Sequence, residues 1–478
     1  MIANRNIEFI LIGGGTSVSK VVGRRKPSNI KHLSSLNEIK NNSTDSVLHF
    51  LIKGFIEKLI KLSELLNDRY IFDATKLRFA AAAGIPHFKI MENKSAEEQN
   101  RFRLFFDYRR GLSLAHPWPR SRLIFRVLKF FRDKVLYFFV RHDDVTGIQN
   151  LKLDLVLFGR YDMPLNIFYW RRVFKRANVK VATIVGSWDH PTTKGPPPSD
   201  IDHFIVASNQ MRKEMIALHD IDNKKITQIG KVQMDRFTDH HFSINRDDFL
   251  SELGFPEIER FILFATNTTG LKEHEVSIVH EVTKWIKEGR FGKNVSLVIR
   301  CHPQDINAQQ DFKVLDDGVK IRCLVASAFG CQGDDPNEAL QDQRFLASLL
   351  KHSEMVIQSR GSIALDAAAF DTPIISLNFD GDLIRTDNDS FRRENEYAHY
   401  KPIIDSQGTW VVDSYKQLKE AICAYIKDKS IHCKGREKIR REHISFLDGK
   451  ASQRLVNKLI ELADQLKQKS YDFENNHL

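Results

Sequence analysis

The chain is 478 residues long, 42% hydrophobic and 28% charged, with a formal net charge of +11. That length favours two domains over a single core, and the positive balance suits a phosphorylated substrate, a membrane surface or nucleic acid. No run of about 18 apolar residues occurs, and Cys301, Cys323, Cys331, Cys423 and Cys433 are scattered without CxxC spacing, which excludes a membrane span, a disulfide framework and a zinc site.

The first residues lack the basic region, apolar run and small-residue cleavage site of a signal peptide, so a cytoplasmic protein is expected. A strand is predicted over 7–12, followed by the turn Gly13-Gly14-Gly15. That turn lacks the full GxGxxG pattern, so it reads as a tight turn with a ligand role left open. Leu48, Leu51, Phe55, Leu59 and Leu62 make the apolar stripe of a helix over 46–67.

Over 120–141 arginines and lysines alternate with Phe125, Phe130, Phe131, Tyr137, Phe138 and Phe139. An aromatic face under a cationic rim suits an anionic membrane surface, and it equally suits a core helix whose long cationic side chains reach to water. A nucleic-acid partner is discounted, since no RNA-binding or helix-turn-helix signature accompanies it.

A strand over 153–158 runs into Gly159-Arg160-Tyr161-Asp162, a helix over 166–177 follows, and a strand over 179–185 comes next. That succession is the parallel α/β signature. The second strand opens into Ser187-Trp188-Asp189-His190-Pro191-Thr192-Thr193-Lys194-Gly195, a loop with more polar chemistry than a turn requires. Strands over 202–207 and 226–229 follow, with Ser208 as a helix N-cap. The polar stretch from 238 to 248 suggests a domain boundary near 240.

The rhythm restarts with a strand over 261–265 and the small polar loop Thr266-Asn267-Thr268-Thr269-Gly270. A strand over 295–300 delivers Arg300, His302 and Pro303 to its C-terminal end. The stretch 350–380 then reads as strand, turn, helix, strand, with Ser359-Arg360-Gly361-Ser362 as the turn. Hydroxyls, a guanidinium and the backbone N–H groups of a helix start suit a phosphate, although a Ser/Gly turn is also an ordinary helix cap. Ligands of open α/β sheets sit outside such strand ends, so both segments point to one crevice.

Several segments together resemble bacterial GT-B glycosyltransferase-like proteins related to CDP-glycerol glycerophosphotransferases and surface-polysaccharide transferases. The loop from Ser187 to Gly195 resembles their SWDN-x-TTKG segment, with His190 in place of the usual Asn, and Phe204-Ile205-Val206-Ala207-Ser208 their VWN segment. Ile229-Gly230-Lys231-Val232-Gln233-Met234-Asp235-Arg236 is similar to TGA-x-x-FDR, Arg300-Cys301-His302-Pro303 to the HP motif, and Phe446-Leu447-Asp448-Gly449-Lys450-Ala451 to a C-terminal FLDG-x-A helix start.

The resemblance implies an α/β protein of two Rossmann-like domains facing across a cleft, the GT-B architecture. Residues 1–240 would be the acceptor domain and 241–478 the nucleotide-donor domain, with the last helix crossing back. The implied activity is a metal-independent, inverting transfer of a glycosyl or polyol-phosphate group from a CMP-, CDP- or UDP-linked donor to a surface-glycan or lipid-linked acceptor. The chain would need no cofactor; lacking a signal peptide it would work in the cytoplasm, and it would be peripheral on the inner face of the membrane if 120–141 is a surface helix rather than a core one.

Arg300, His302, Pro303, Ser359, Arg360, Gly361, Ser362 and Thr268 are the expected donor-phosphate residues, and Asp162, with Asp189 and His190 as rivals, the expected base. Ser187, Trp188, Lys194 and Lys231 are expected on the acceptor side. A non-hydrolysing UDP-sugar 2-epimerase and a non-catalytic glycan- or lipid-binding protein share the architecture and stay open as alternatives.

Overall fold

The computed structural model describes residues 9–12, 30–33, 140, 142–159, 165–193, 197, 201–239, 241–255, 260–267, 273–302, 305, 311–324, 336–383, 391–395 and 399–475. The glycine turn at 13–15, the helix expected over 46–67 and the aromatic and basic stretch, apart from Val140, lie outside them. By its contacts the chain divides into two units. One comprises Ile39–Ile229 and Gln453–Leu478, the other Met1–Glu38 and Gly230–Ser452.

Phe9–Ile12 (β1) and Ile30–Leu33 (β2) pair in parallel. Helix His142–Asn150 (α1) precedes a four-stranded parallel sheet of Leu155–Phe158 (β3), Lys180–Ile184 (β4), His203–Val206 (β5) and Ile226–Gln228 (β6), in that spatial order. Leu165–Arg176 (α2), His190–Thr193 (α3) and Asn209–His219 (α4) form the crossovers. β5 is buried along its whole length, as a strand covered on both faces must be. Ser208 caps α4 as its sequence predicts, its Oγ accepting the Met211 N–H at 3.3 Å.

The other unit carries a six-stranded parallel sheet. Its strands and principal helices in chain order are Arg260–Ala265 (β7), Glu273–Lys287 (α5), Val295–Arg300 (β8), Ile321–Leu324 (β9), Pro336–His352 (α6), Val356–Gln358 (β10), Ile363–Ala369 (α7), Ile374–Leu377 (β11), Trp410–Val412 (β12) and Tyr415–Lys427 (α8). The spatial order β9-β8-β7-β10-β11-β12 is the 3-2-1-4-5-6 order of a dinucleotide-binding sheet.

β7 takes the centre because it can be buried on both faces: Phe261, Ile262, Leu263 and Phe264 are all fully buried. Each such side chain contributes roughly 2 kcal/mol of burial. Behind β10, the small Ala364, Ala367 and Ala368 are fully buried and let α7 lie close to the sheet.

β9 and β12 are absent from the sequence reading, for a physical reason. Both are edge strands, and β9 alternates buried Ile321 and Cys323 with half-buried Arg322 and Leu324, too short and mixed a pattern to stand out.

The last helix, Ala451–Asn475 (α9), contributes 453–475 to the unit of the four-stranded sheet. There Arg454 donates from Nη1 to the Ile229 carbonyl at 2.9 Å, and Lys180 from Nζ to the Leu462 carbonyl at 3.2 Å.

Candidate active site

In the six-stranded sheet the order of connections reverses between β7 and β10, and ligands of such sheets bind outside the strand ends at that point. β7 delivers Thr266 and Asn267, β8 delivers Cys301 and His302, and β10 delivers Ser359-Arg360-Gly361-Ser362. The three turns are laced together. The His302 N–H donates to Thr266 Oγ1 at 3.2 Å, and Asn267 Nδ2 donates to Ser359 Oγ at 3.0 Å. Glu275, fully buried on α5, accepts the Asn267 N–H on Oε2 at 2.7 Å.

The two serines of the turn differ in setting. Ser359 is buried and bonded to Asn267, whereas Ser362 is exposed and its side chain makes no capping bond to α7. Gly361 has φ +153°, a conformation that L side chains rarely adopt. Arg360 is half-buried beside it. Burial, aided by the Arg300 charge and opposed by Asp305, holds the half-buried His302 imidazole below its ordinary pKa, so the ring is neutral at pH 7.

Two expected ligands have other partners. The Arg300 Nη2 donates to both carboxylate oxygens of Asp342 on α6, at 2.7 and 2.9 Å. Lys231, expected on the acceptor side, belongs to the unit of the six-stranded sheet, where its Nζ donates to Asp366 Oδ1 on α7 at 2.9 Å. Cys301 is a core residue, its Sγ 3.6 Å from that of Cys323. Thr268 and Pro303 lie outside the described residues, as do Asp162 and Lys194.

In the unit of the four-stranded sheet, β4 opens into Ser187, Trp188, Asp189 and His190. Ser187 Oγ donates to Asp189 Oδ1 at 2.5 Å, and the His190 N–H donates to the Ser187 carbonyl at 3.1 Å, so these residues close a turn at the start of α3. His190 is buried. Glu214 on α4 is buried too, and burial, with the negative charge of Asp189, pushes its carboxyl up to about 7 against a bond from Gln210.

Sequence reasoning missed three features here. Asn267 lies in the polar loop that the sequence singles out, but its buried partner Glu275 belongs to no motif. Beneath the Ser359 turn, Gln358 Nε2 donates to Ser376 Oγ at 2.8 Å and to Tyr400 Oη at 2.6 Å, and Ser376 meets Thr409 Oγ1 at 2.6 Å. Asp235 accepts the Ala451 and Ser452 N–H groups at 2.8 and 2.7 Å, so the FDR-like and FLDG-like segments meet as a helix cap. Gly449 closes that joint with φ +69°, where a Cβ would stand 2.6 Å from Thr238 Oγ1.

Among the described residues no group of three or more His, Cys, Asp and Glu could hold a metal ion. No curated protein matches the chain. Solved structures that resemble it include S. aureus MnaA with UDP, at 14% identity and TM-score 0.44 over 70% of this chain and 80% of that one. Another is the Neisseria meningitidis UDP-GlcNAc 2-epimerase bound to UDP-GlcNAc, at 15% identity and TM-score 0.40 over 67% and 82%. A third is the wall teichoic acid polymerase TagF, at 13% identity and TM-score 0.37 over 56% and 60%. The family described as CDP-glycerol:poly(glycerophosphate) glycerophosphotransferase matches residues 190–461, more than half of the chain and all of the six-stranded sheet. The chain therefore belongs to that family and is a glycosyltransferase-like enzyme, a transferase that works on a nucleotide-activated donor.

Proposed function

We propose that the chain moves a polyol-phosphate or glycosyl group from a CDP-linked donor to a hydroxyl of a surface-glycan or lipid-linked acceptor. The observation that carries this reading is the lacing of the β7, β8 and β10 turns at the switch point of a dinucleotide-type sheet, inside the family match. In this reading the donor diphosphate meets the hydroxyls of Ser359 and Ser362, Arg360 and the backbone N–H groups of the 359–362 turn. His302, neutral at pH 7, presents a ring N–H to a phosphate oxygen. These donors stabilise the negative charge that grows on the departing nucleotide.

For polyol-phosphate transfer the acceptor oxygen bonds to the donor's distal phosphorus, the bond from that phosphorus to the bridging oxygen breaks, and the electron pair leaves with CMP. The acceptor proton passes to a base drawn from Asp162, Asp189 and His190. The displacement is single and inverting, and the chain's own donors carry the phosphate charge without a metal. The stretch 120–141 would bring the enzyme to anionic lipid; unchanged binding to phosphatidylglycerol vesicles after Phe130, Phe131, Phe138 and Phe139 are replaced by Ser would refute that part.

A thermal-shift panel with CMP, CDP, UDP, GDP and dTDP tests the donor assignment. A ligand at about 100 times its Kd adds roughly 2.7 kcal/mol to the folded state. CDP or CMP should protect the wild type and fail to protect His302→Ala. Protection by none of the five, or equal protection of the variant, would overturn the assignment.

A further inference from the structure

We infer that Glu275 is a positioning residue of the donor site: it fixes Asn267, and through Asn267 it leaves the Ser359 hydroxyl as a hydrogen-bond donor for a phosphate oxygen. The inference rests on the donor reading given above. Glu275 touches no reacting atom in that reading, and nothing in the family resemblance singles it out.

Glu275 is 0% exposed in the first turn of α5, and a carboxylate is kept inside a protein only when hydrogen bonds replace its water. One of its bonds is the 2.7 Å contact from the Asn267 N–H, the length of a charge-assisted bond. The Thr266 N–H still donates to the Arg300 carbonyl of β8 at 3.0 Å, as a ladder bond. At Asn267 the ladder ends, and the next N–H turns to Glu275 instead. The carboxylate thus decides where the chain leaves the sheet.

The departure point governs the turn across the switch. The Asn267 amide reaches Ser359 Oγ at 3.0 Å, bridging the ends of β7 and β10. Because Oγ receives that bond, the Ser359 proton remains for another acceptor. Thr266 is set in the same sense, since its Oγ1 receives the His302 N–H at 3.2 Å. Phosphate oxygens accept and do not donate, so two hydroxyls whose oxygens each already accept a bond can turn their protons to them.

The test uses the full-length chain, with CDP as the probe, for wild type, Glu275→Gln, Glu275→Ala, Asn267→Ala and the Glu275→Ala/Asn267→Ala double variant. Calorimetry reads the CDP affinity, and hydrogen exchange without ligand reads the peptide at the end of β7. Glu275→Gln keeps an acceptor and should bind within about threefold of wild type, whereas Glu275→Ala should lose about tenfold or more. Asn267→Ala should match Glu275→Ala, and the double variant should be no weaker than either, because both cut one chain of contacts. Exchange should quicken in Glu275→Ala and stay slow in Glu275→Gln.

Wild-type affinity in Glu275→Ala, additive losses in the double variant, or unchanged exchange would each overturn the inference. If the Ala variant does not fold, Glu275→Gln and Asn267→Ala still decide: a large loss in the former or none in the latter sinks it. Should wild type bind no CDP, the donor reading falls and the inferred role on phosphate falls with it. Quickened exchange in that case would assign Glu275 to the turn alone.

Discussion

Glu214→Gln is the substitution whose effect the structure fixes most sharply. Gln210 donates from Nε2 to Glu214 Oε1 at 2.8 Å, and Oε2 is buried with no hydrogen-bond partner among the described residues. Burial first, then the charge of Asp189, pushes the carboxyl from an ordinary 4.5 up to about 7. The folded chain therefore keeps a proton that the unfolded chain has released between pH 4.5 and 7. Stability linked to Glu214 is full below pH 4.5, falls as the pH rises through about 7, and falls no further above it. A rise of that size corresponds to roughly 3 kcal/mol. Glutamine mimics the neutral acid at every pH. Glu214→Gln should thus equal wild type at pH 4.5 and exceed it by about 2–4 kcal/mol at pH 8, as read by urea denaturation. An equal difference at both pH values would refute the assignment of the effect to this ionisation.

His203 carries the opposite sign in the same unit. Burial, with Lys458 and Lys180 nearby, lowers it from 6.5 to about 4, while its Nε2 meets Thr227 Oγ1 at 2.8 Å. Acidification from pH 6.5 to 4 should remove about 3 kcal/mol through this group, and His203→Gln should abolish that loss; an unaltered acid titration would refute it. Asp235→Ala removes the acceptor of two N–H groups at the start of α9 and should destabilise the chain by about 1–2 kcal/mol in thermal melts, with Asp235→Asn losing less. Equal melting of Asp235→Ala and wild type would show that the cap is dispensable.

The sequence is most legible where burial is complete. The strands from 261 to 265 and from 374 to 377 are apolar runs, the second broken only by the buried Ser376, and the structure returns them as β7 and β11 with bounds shifted by a residue at most. Ser208, capping α4, is legible because a cap is a local contact. Partners distant in sequence are not. Arg300 sits at a strand end as expected, but the Asp342 carboxylate that holds it comes from a helix beyond a whole further strand. The same limit applies to Asp235, a residue whose motif resemblance was clear and whose task, capping a helix more than two hundred residues later, depends on the fold.

Under the proposed donor reading, these ion pairs change what the switch point would offer a diphosphate. Asp342 and Asp366 each take up a cation that the sequence had set aside for ligands, so Arg300 and Lys231 add little net charge to the site. What the three turns would supply, beside the half-buried Arg360, is direction: hydroxyls of Thr266 and Ser359 whose oxygens each already accept a bond, the exposed Ser362, and a neutral imidazole at His302. Charge attracts any anion, whereas fixed donors select one shape. In that reading, a site made largely of oriented donors would release the nucleotide after transfer, because its stabilisation would be strongest while charge develops on the leaving phosphate. The paired arginine and lysine would then hold the walls of that site, Arg300 joining β8 to α6 and Lys231 joining the segment after β6 to α7.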